Sequence, residues 1–234
     1  MIDDPFISVL LAPILISQGI YTRRSTLQLP EANGARTGFD GVGEPMSLLI
    51  IGDSAAAGVG VEHQNQALAG QLVSKLASDY SVSWRLEAQT GLKTSDVVQM
   101  LEETKPCKSD VVVVSLGVND VTSVVRLNEW LLLQKKLCSL LVSKFEAKLV
   151  LLSYIPPMER FPSLPQPLRW YLGRRSRFFN LALVKQVGGC SGLEYLDVNF
   201  PEEGDFIAED GFHPSGLAYD LWSERIVKEI RLKL

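Results

Sequence analysis

The chain has 234 residues, 46% of them hydrophobic and 21% charged, with a formal net charge of -4. This is a globular composition, and a single α/β domain of this size buries well over half of its unfolded surface. A net negative charge gives no sign of the basic surface that neutralises a phosphate backbone, so we predict no nucleic-acid partner.

Cysteine and histidine usage gives no sign of a disulfide framework or a zinc site. The cysteines Cys107, Cys138 and Cys190 are an odd number at unrelated spacings, and the chain has only two histidines. No C-x-x-C pair occurs. We predict no metal and no cofactor, and we expect buried free thiols in a reducing, cytoplasmic compartment.

The chain opens with a largely apolar segment, residues 6–24, that ends in Arg23 and Arg24. A signal peptide carries basic residues before its apolar core, whereas Asp3 and Asp4 precede this one. The apolar run is also short for the roughly 20 residues that cross a bilayer. We predict a helix that packs on its own domain or on a partner subunit. Attachment to a membrane surface, or a retained anchor outside the cytoplasm, is the alternative.

Composition changes after this segment. Leu27 to Pro45 is rich in glycine, proline and polar residues, which is typical of a linker or wrapping loop. We therefore divide the chain into residues 1–45, an apolar helix with a wrapping linker, and residues 46–234, a compact domain.

Five short apolar runs in the compact domain predict strands: Ser47 to Ile51, Val82 to Ala88, Asp110 to Leu116, Lys148 to Tyr154 and Leu193 to Val198. Helical patterns alternate with them: Gln66 to Ser78, Thr94 to Glu103, Asn128 to Phe145, a stretch within Leu168 to Val187, and Pro214 to Leu232. The runs are continuous rather than alternating, as in parallel strands covered on both faces. We predict one doubly wound α/β fold with a five-stranded parallel sheet.

The first predicted strand ends in Gly52-Asp53-Ser54, followed by small residues. Ligands of such sheets bind at the carboxyl ends of the strands, so Ser54 is a candidate nucleophile. A serine needs a base that takes its proton, and the two histidines are the candidates. His63 lies in a polar loop and is interpreted as a surface residue, which leaves His213.

His213 follows Asp210 by three residues, and Pro214 suits the first turn of the last helix. An aspartate at this spacing can accept a hydrogen bond from imidazole Nδ1 and leave Nε2 free to deprotonate Ser54. Taken alone, the pattern also fits a loop aspartate that caps a helix beside an ordinary histidine.

Two further residues follow strands at the same predicted edge. Asn119 comes after the third strand and Gly91 after the second. The Asn119 amide, the Gly91 N–H and the Ser54 N–H are three donors for one oxyanion, and a single such donor is worth about 3 kcal/mol or more. The alternatives are a turn glycine and a loop cap.

In combination these blocks resemble the SGNH hydrolases, the GDSL-like esterase and lipase superfamily. The matching pieces are Gly52-Asp53-Ser54, Gly91, Gly117-x-Asn119-Asp120 and Asp210-x-x-His213-Pro214. The resemblance implies a flavodoxin-like three-layer α/β/α sandwich, metal-free ester hydrolysis through an acyl-enzyme, and an oxyanion hole from Ser54, Gly91 and Asn119. Ala55 replaces the leucine of the family name-motif, at a position that packs rather than reacts.

Residues 154–172 follow the fourth predicted strand and combine prolines with apolar side chains. They predict a wall or lid over Ser54, with a surface loop that packs on the domain as the alternative. The predicted substrate contacts are Asp53, Met158, Phe161, Trp170 and Tyr171.

The leading hypothesis is a carboxylic ester hydrolase for short to medium acyl chains, including aryl esters or lysophospholipids. Its partners would be a small acyl ester and, through residues 6–24, a membrane surface. A carbohydrate deacetylase or a thioesterase with the same machinery is the second reading. A non-catalytic flavodoxin-like binding domain is the third.

Overall fold

The computed structural model describes residues 5–198, 200, 201 and 205–234, with side chains from Leu10 onward. Its helices are α1 (Pro5–Ser25), α2 (Leu68–Leu76), α3 (Thr94–Glu103), α4 (Val118–Val121), α5 (Leu127–Ser143), α6 (Leu168–Val187) and α7 (Gly216–Lys233). Its strands are β1 (Thr37–Asp40), β2 (Glu44–Gly52), β3 (Tyr80–Ala88), β4 (Val111–Ser115), β5 (Leu149–Ser153) and β6 (Leu193–Leu196). A short 3-10 turn spans Met158–Arg160.

The strands form one sheet in the order β1-β3-β2-β4-β5-β6. Strands β2 to β6 are parallel, which confirms the predicted doubly wound α/β fold. The sheet has six strands rather than five, because β1 pairs antiparallel with the edge strand β3. This strand lies inside the predicted linker. All four of its residues are exposed, so it carries no buried apolar pattern that the sequence could have revealed.

Both faces of the sheet are covered, and this explains the continuous apolar runs. Every residue of β4 and β5 is buried. Alternate side chains enter two core clusters, one shared with α3, α5 and α6 and the other with α2 and α7. Val112 and Val150 belong to the first cluster, whereas Val113 and Leu151 belong to the second.

The last helix, α7, begins two residues later than predicted. Ser215 is its N-cap, and its side chain accepts a hydrogen bond from the Ala218 N–H at 3.3 Å. An N-cap residue has non-helical backbone angles, so Pro214 stays in the preceding loop. The loop that carries His213 therefore runs directly into a capped helix.

Helix α1 packs on its own domain. Leu15 is buried in the cluster that α6 shares. The Gln18 amide donates to the Gln166 carbonyl at 2.6 Å, and its oxygen accepts from the Leu168 N–H, at the start of α6, at 3.0 Å. In the described part of the chain, no helix is long and apolar enough to cross a membrane.

The burial of the cysteine thiols differs from the prediction. All three cysteines are free, but only Cys138 is buried, while Cys107 and Cys190 are exposed. The prediction of buried thiols was therefore wrong for two of them. Both lie in connecting segments, Cys107 after α3 and Cys190 after α6, where no core is available.

Candidate active site

Three neighbouring strands deliver the predicted catalytic segments to one edge of the sheet. Gly52, the last residue of β2, is in register with Ala88 of β3 and with Ser115 of β4. Ser54 follows Gly52 by two residues and Gly91 follows Ala88 by three. Parallel strands end at the same edge, so the structure brings these turns together.

Ser54, His213 and Asp210 form a connected hydrogen-bonded chain. His213 Nε2 lies 2.9 Å from Ser54 Oγ, and His213 Nδ1 lies 2.5 Å from Asp210 Oδ2. Asp210 is only 6% exposed, so water does not compete for its carboxylate. With a proton on Nδ1, the free Nε2 lone pair points at the serine hydroxyl. This geometry is the one by which a histidine can activate a serine as a nucleophile.

The second oxygen of Asp210 is also occupied. Its Oδ1 accepts the backbone N–H groups of Phe212 at 2.9 Å and His213 at 3.0 Å. Burial raises the pKa of Asp210, but the hydrogen bonds from His213 and from these two backbone groups outweigh it and hold the pKa below its ordinary value. The carboxylate is thus ionised whenever the histidine has to act as a base.

The loop that carries this pair is held by its own backbone and by a neighbour. The Ala208 N–H donates to the His213 carbonyl at 2.8 Å. From the segment before α6, Ser163 Oγ donates to the Gly211 carbonyl at 2.9 Å. The Phe161 ring meets the Phe212 ring edge-on at 4.8 Å between centroids. The predicted wall segment therefore supports the histidine loop.

Sequence reasoning missed a residue that fixes the serine turn. Tyr219, completely buried in α7, places its hydroxyl 2.9 Å from the Ala55 carbonyl and 2.8 Å from the Val59 carbonyl. Its position on the buried face of α7 is visible in the helical spacing. Its contact with a turn about 160 residues earlier is not.

Two of the three predicted oxyanion donors are free. In the described part of the chain, neither the Ser54 N–H nor the Gly91 N–H has a hydrogen-bond partner. Gly91 has a φ of +89°, which favours glycine, and a Cβ there would meet nothing within 4 Å. From the linker, Glu31 accepts the Thr90 N–H at 2.6 Å and so fixes this turn.

The third donor, Asn119, is oriented by its neighbours. Its Nδ2 donates to the Leu92 carbonyl at 2.9 Å and lies 3.4 Å from Asp53 Oδ2. The first bond ties the Asn119 turn to the turn of Gly91. The second contact is long, so that hydrogen is the one available to a developing oxyanion. The oxyanion role of these groups stays a prediction.

A buried network joins the two turns from behind. Asp120 accepts the Thr94 hydroxyl at 2.8 Å and lies 3.2 Å from the Thr94 N–H. Thr94 Oγ1 in turn accepts from Trp130 and Gln134 of α5 at 3.2 and 3.0 Å. The start of α3, just after Gly91, is thereby fixed to the segment after Gly117.

Asp53, next to the nucleophile, is buried at 3% exposure. Burial raises its pKa to about 7, although the Ala55 N–H donates to its Oδ1 at 3.1 Å and His213 lies nearby. With this pKa, the carboxyl group next to Ser54 is protonated in roughly half of the molecules at pH 7.

A cavity of about 560 Å³ opens beside Ser54 and His213. Most of its wall is apolar, with polar groups confined to a few positions. Its apolar lining residues are Ala55, Leu116, Val118, Ile155, Pro156, Pro157, Phe161, Val198, Phe200, Pro201, Phe206, Ile207, Phe212, Pro214, Ala218 and Trp222.

The predicted substrate contacts take different places. Asp53 and Phe161 line the cavity. Met158 is fully buried in the core and presents no surface. Trp170 is 40% exposed, with the Arg174 guanidinium 5.2 Å from its ring, and Tyr171 packs against the core. The last three are not among the lining residues, because the 3-10 turn and α6 direct them away from Ser54.

Most of the cavity wall was not foreseen. The segment between β6 and α7, whose sequence shows no periodicity, contributes Val198, Phe200, Pro201, Phe206, Ile207 and Phe212 to the lining. One signal was available, since Ala218 and Trp222 are four apart on α7 and face the same side. In the described part of the chain, no group of three or more His, Cys, Asp or Glu side chains is arranged to hold a metal ion.

Known proteins resemble this chain in sequence and in fold. A model of the GDSL-like lipase/acylhydrolase family matches residues 50–221. No curated protein matches the sequence significantly.

Solved structures are similar over most of the chain. The lipase Lip_vut3 from a goat rumen metagenome is 23% identical, with a TM-score of 0.59 over 78% of this chain and 96% of its own. An acetylxylan esterase from Geobacillus stearothermophilus is 18% identical, with a TM-score of 0.58 over 80% and 95%. A protein named TesA is 25% identical, with a TM-score of 0.58 over 80% and 99%.

Proposed function

The chain belongs to the GDSL-like lipase/acylhydrolase family, and we propose that it hydrolyses carboxylic esters of short to medium acyl chains, including aryl esters and lysophospholipids. The observation that carries this proposal is the 2.9 Å contact between His213 Nε2 and Ser54 Oγ, with Asp210 behind the imidazole. The apolar cavity beside these groups supports an acyl substrate.

In the proposed reaction His213 Nε2 takes the hydroxyl proton as Ser54 Oγ attacks the ester carbonyl carbon. The carbonyl oxygen becomes an oxyanion, which the N–H groups of Ser54 and Gly91 and the Asn119 amide stabilise. When the tetrahedral intermediate collapses, the ester C–O bond breaks and His213 passes its proton to the leaving alkoxide. The product of this half is an acyl-enzyme on Ser54.

Water completes the cycle by the same route. His213 Nε2 removes a proton from a water molecule, whose oxygen attacks the acyl carbonyl, and the proton returns to Ser54 Oγ as the acid leaves. Throughout, the Asp210 carboxylate stabilises the imidazolium that forms at each step. No group outside this chain is needed for the proton transfers.

The cavity favours an acyl ester over the other readings. Its volume of about 560 Å³ lies within the roughly 300–1,000 Å³ typical of small-molecule sites, and its wall is largely apolar. A sugar site would present more polar and exposed aromatic surface. The deacetylase and thioesterase readings nevertheless keep the same catalytic groups, so substrate tests must separate them.

A substrate panel tests the proposal. We expect turnover of p-nitrophenyl butyrate and octanoate, with less on acetylated xylan and acyl-CoA, and loss of all turnover in Ser54→Ala. Activity on acetylated xylan alone would establish the deacetylase reading. Activity on acyl-CoA alone would establish the thioesterase reading.

We also propose peripheral contact between helix α1 and an anionic bilayer. Leu10, Ile14 and Tyr21 share the outward face of α1 and are 68%, 49% and 67% exposed. Arg23 and Arg24 occupy its last turn and are complementary to anionic head groups. The free thiols support a cytoplasmic location for this contact.

Vesicle flotation tests the bilayer contact. The full chain should float with vesicles that contain phosphatidylglycerol and less with pure phosphatidylcholine. The double variant I14E/Y21E should lose flotation, whereas L132E should keep it, since Leu132 is 69% exposed on a different helix, α5. Equal flotation of all three proteins, or none with wild type, would contradict the proposal.

A further inference from the structure

We propose that the part of the cavity lined by Ser153 and Trp222, the inner subsite, binds an uncharged hydrogen-bonding oxygen carried by the acyl group of the substrate, such as a hydroxyl on the chain. This inference rests on the proposed ester hydrolysis and names the substrate class within it. Both residues line the cavity that opens beside Ser54.

The two side chains lie on the same side of the sheet. Successive residues of β5 face opposite sides, and Leu149 and Leu151 pack in the same core cluster as Trp222. Ser153, the last residue of β5, continues their face toward α7. Trp222 projects from α7 onto that face. The inner subsite is therefore built from a strand end and a helix, both rigid elements.

Both polar atoms of the inner subsite are buried without a partner. Ser153 is 5% exposed and Trp222 is 6% exposed. In the described part of the chain, neither Ser153 Oγ nor Trp222 Nε1 has a hydrogen-bond partner. The buried serines Ser176 and Ser223 instead donate to helix carbonyls at 3.0 and 2.7 Å. Buried polar groups are normally satisfied, so two unmet groups in one cavity indicate a ligand atom.

The chemistry of the two groups defines the ligand atom. An indole N–H only donates, whereas a serine hydroxyl both donates and accepts. An oxygen that accepts from Trp222 and exchanges a hydrogen bond with Ser153 satisfies both, as a hydroxyl does. Neither Ser153 nor Trp222 carries a charge that would balance a carboxylate. Of the two charged side chains that line the cavity besides Asp53 and His213, Asp197 would repel a carboxylate and Arg160 would attract one.

The acyl group is the part of the substrate that suits this subsite. The leaving alcohol must depart and be replaced by water between the two halves of the reaction. The acyl group stays attached to Ser54 through both halves, so contacts at an enclosed end of the cavity act on it in both. A hydroxyl at the matching distance along the chain then contributes to turnover as well as to binding.

The test compares p-nitrophenyl octanoate with a series of its monohydroxylated analogues, hydroxylated from carbon 3 to carbon 8. We expect wild type to prefer one analogue by about 10-fold or more in kcat/KM. Ser153→Ala and Trp222→Phe should each remove most of that preference, taken within each variant as the ratio of kcat/KM for the preferred analogue to kcat/KM for the unsubstituted octanoate. Ser223→Ala, a matched buried serine outside the cavity lining, should retain the preference.

Each result separates the two proposals. Hydrolysis of octanoate without preference for any analogue, or a preference that both variants retain, would overturn the inner subsite and leave ester hydrolysis standing. A wild-type protein that hydrolyses no ester of the series would overturn the proposed function, and the subsite with it. Melting temperatures of the variants show whether each has folded.

Discussion

The two ends of the cavity differ in how their polar groups are satisfied. At the catalytic end, Asp210 has both oxygens occupied by the His213 loop, and His213 contacts Ser54. At the inner end, Ser153 and Trp222 have unmet polar atoms. The proposed chemistry rests on hydrogen bonds inside the protein, whereas the proposed choice of substrate rests on two polar atoms that have no partner in the described part of the chain.

The largest expected effect comes from breaking the catalytic end. His213→Ala removes the imidazole that lies 2.9 Å from Ser54 Oγ, so kcat for p-nitrophenyl butyrate should fall by about 10⁴–10⁶-fold. The fold should persist, because the imidazole is not part of the core clusters. Steady-state kinetics with circular dichroism checks both. The exposed His63→Ala is the matched control and should leave kcat unchanged.

The next effect concerns the predicted oxyanion donors. Asn119→Ala should lower kcat by about 10²–10³-fold, with a smaller change in KM, because a donor to the oxyanion acts mainly in the transition state. The substitution also removes the hydrogen bond to the Leu92 carbonyl. Hydrogen–deuterium exchange of the backbone amides around Leu92 therefore has to be measured too. If Asn119→Ala kept the kcat of wild type, Asn119 would not be an oxyanion donor.

The catalytic end of the cavity could be predicted from the sequence to a greater extent than the inner end. Ser54, His213 and Asp210 each carry a local signal, a strand end or a spacing of three, and the structure brings them together. The five parallel strands were predicted because each carries a short apolar run, which in β4 and β5 is buried at every residue. Strand β1 was not, because its four exposed residues are specified by pairing with β3 alone.

The inner end could not be predicted from the sequence. Trp222 is separated from Ser153 by 69 positions, and each looks like an ordinary core or strand-end residue. Met158 misled in the opposite direction, because an apolar residue in a proline-rich loop fits a cavity wall as well as the core that it enters. Sequence periodicity shows that a side chain is buried, and only the fold decides what it meets.

Asp53, next to Ser54, makes the stability of the protein depend on pH. Its folded pKa is about 7 against an ordinary 3.8. As pH rises, Asp53 ionises first in the unfolded chain. The free energy of unfolding therefore falls between about pH 4 and 7 and stays lower above pH 7. Asp53→Asn should be more stable than wild type by roughly 1–4 kcal/mol at pH 8 and equal to it below about pH 4. Urea unfolding at several pH values measures this. A difference that does not change with pH would contradict it.

Tyr219 gives a smaller effect at the catalytic end. Tyr219→Phe removes the hydroxyl that braces the Ser54 turn at the Ala55 and Val59 carbonyls. We expect a loss of about 1–2 kcal/mol in the free energy of unfolding, since the carbonyls lose their partner, and a reduced kcat. Unchanged stability and kcat would show that the turn is held by other contacts.

The smallest effect belongs to the inner end. Ser153→Ala removes a polar atom that has no partner in the described part of the chain, so the melting temperature should stay the same or rise slightly. Thermal denaturation without substrate checks this. A clear loss of stability would mean that Ser153 Oγ already has an internal partner, and the contrast between the two ends would fail.

The central claim is that Ser54 is a nucleophile activated by His213. Labelling with a fluorophosphonate, followed by peptide mass spectrometry, tests it most directly. The account predicts one adduct on Ser54, formed quickly in wild type, slowly in His213→Ala and not at all in Ser54→Ala. A folded wild-type protein that remains unlabelled, or an adduct on another residue, would contradict it.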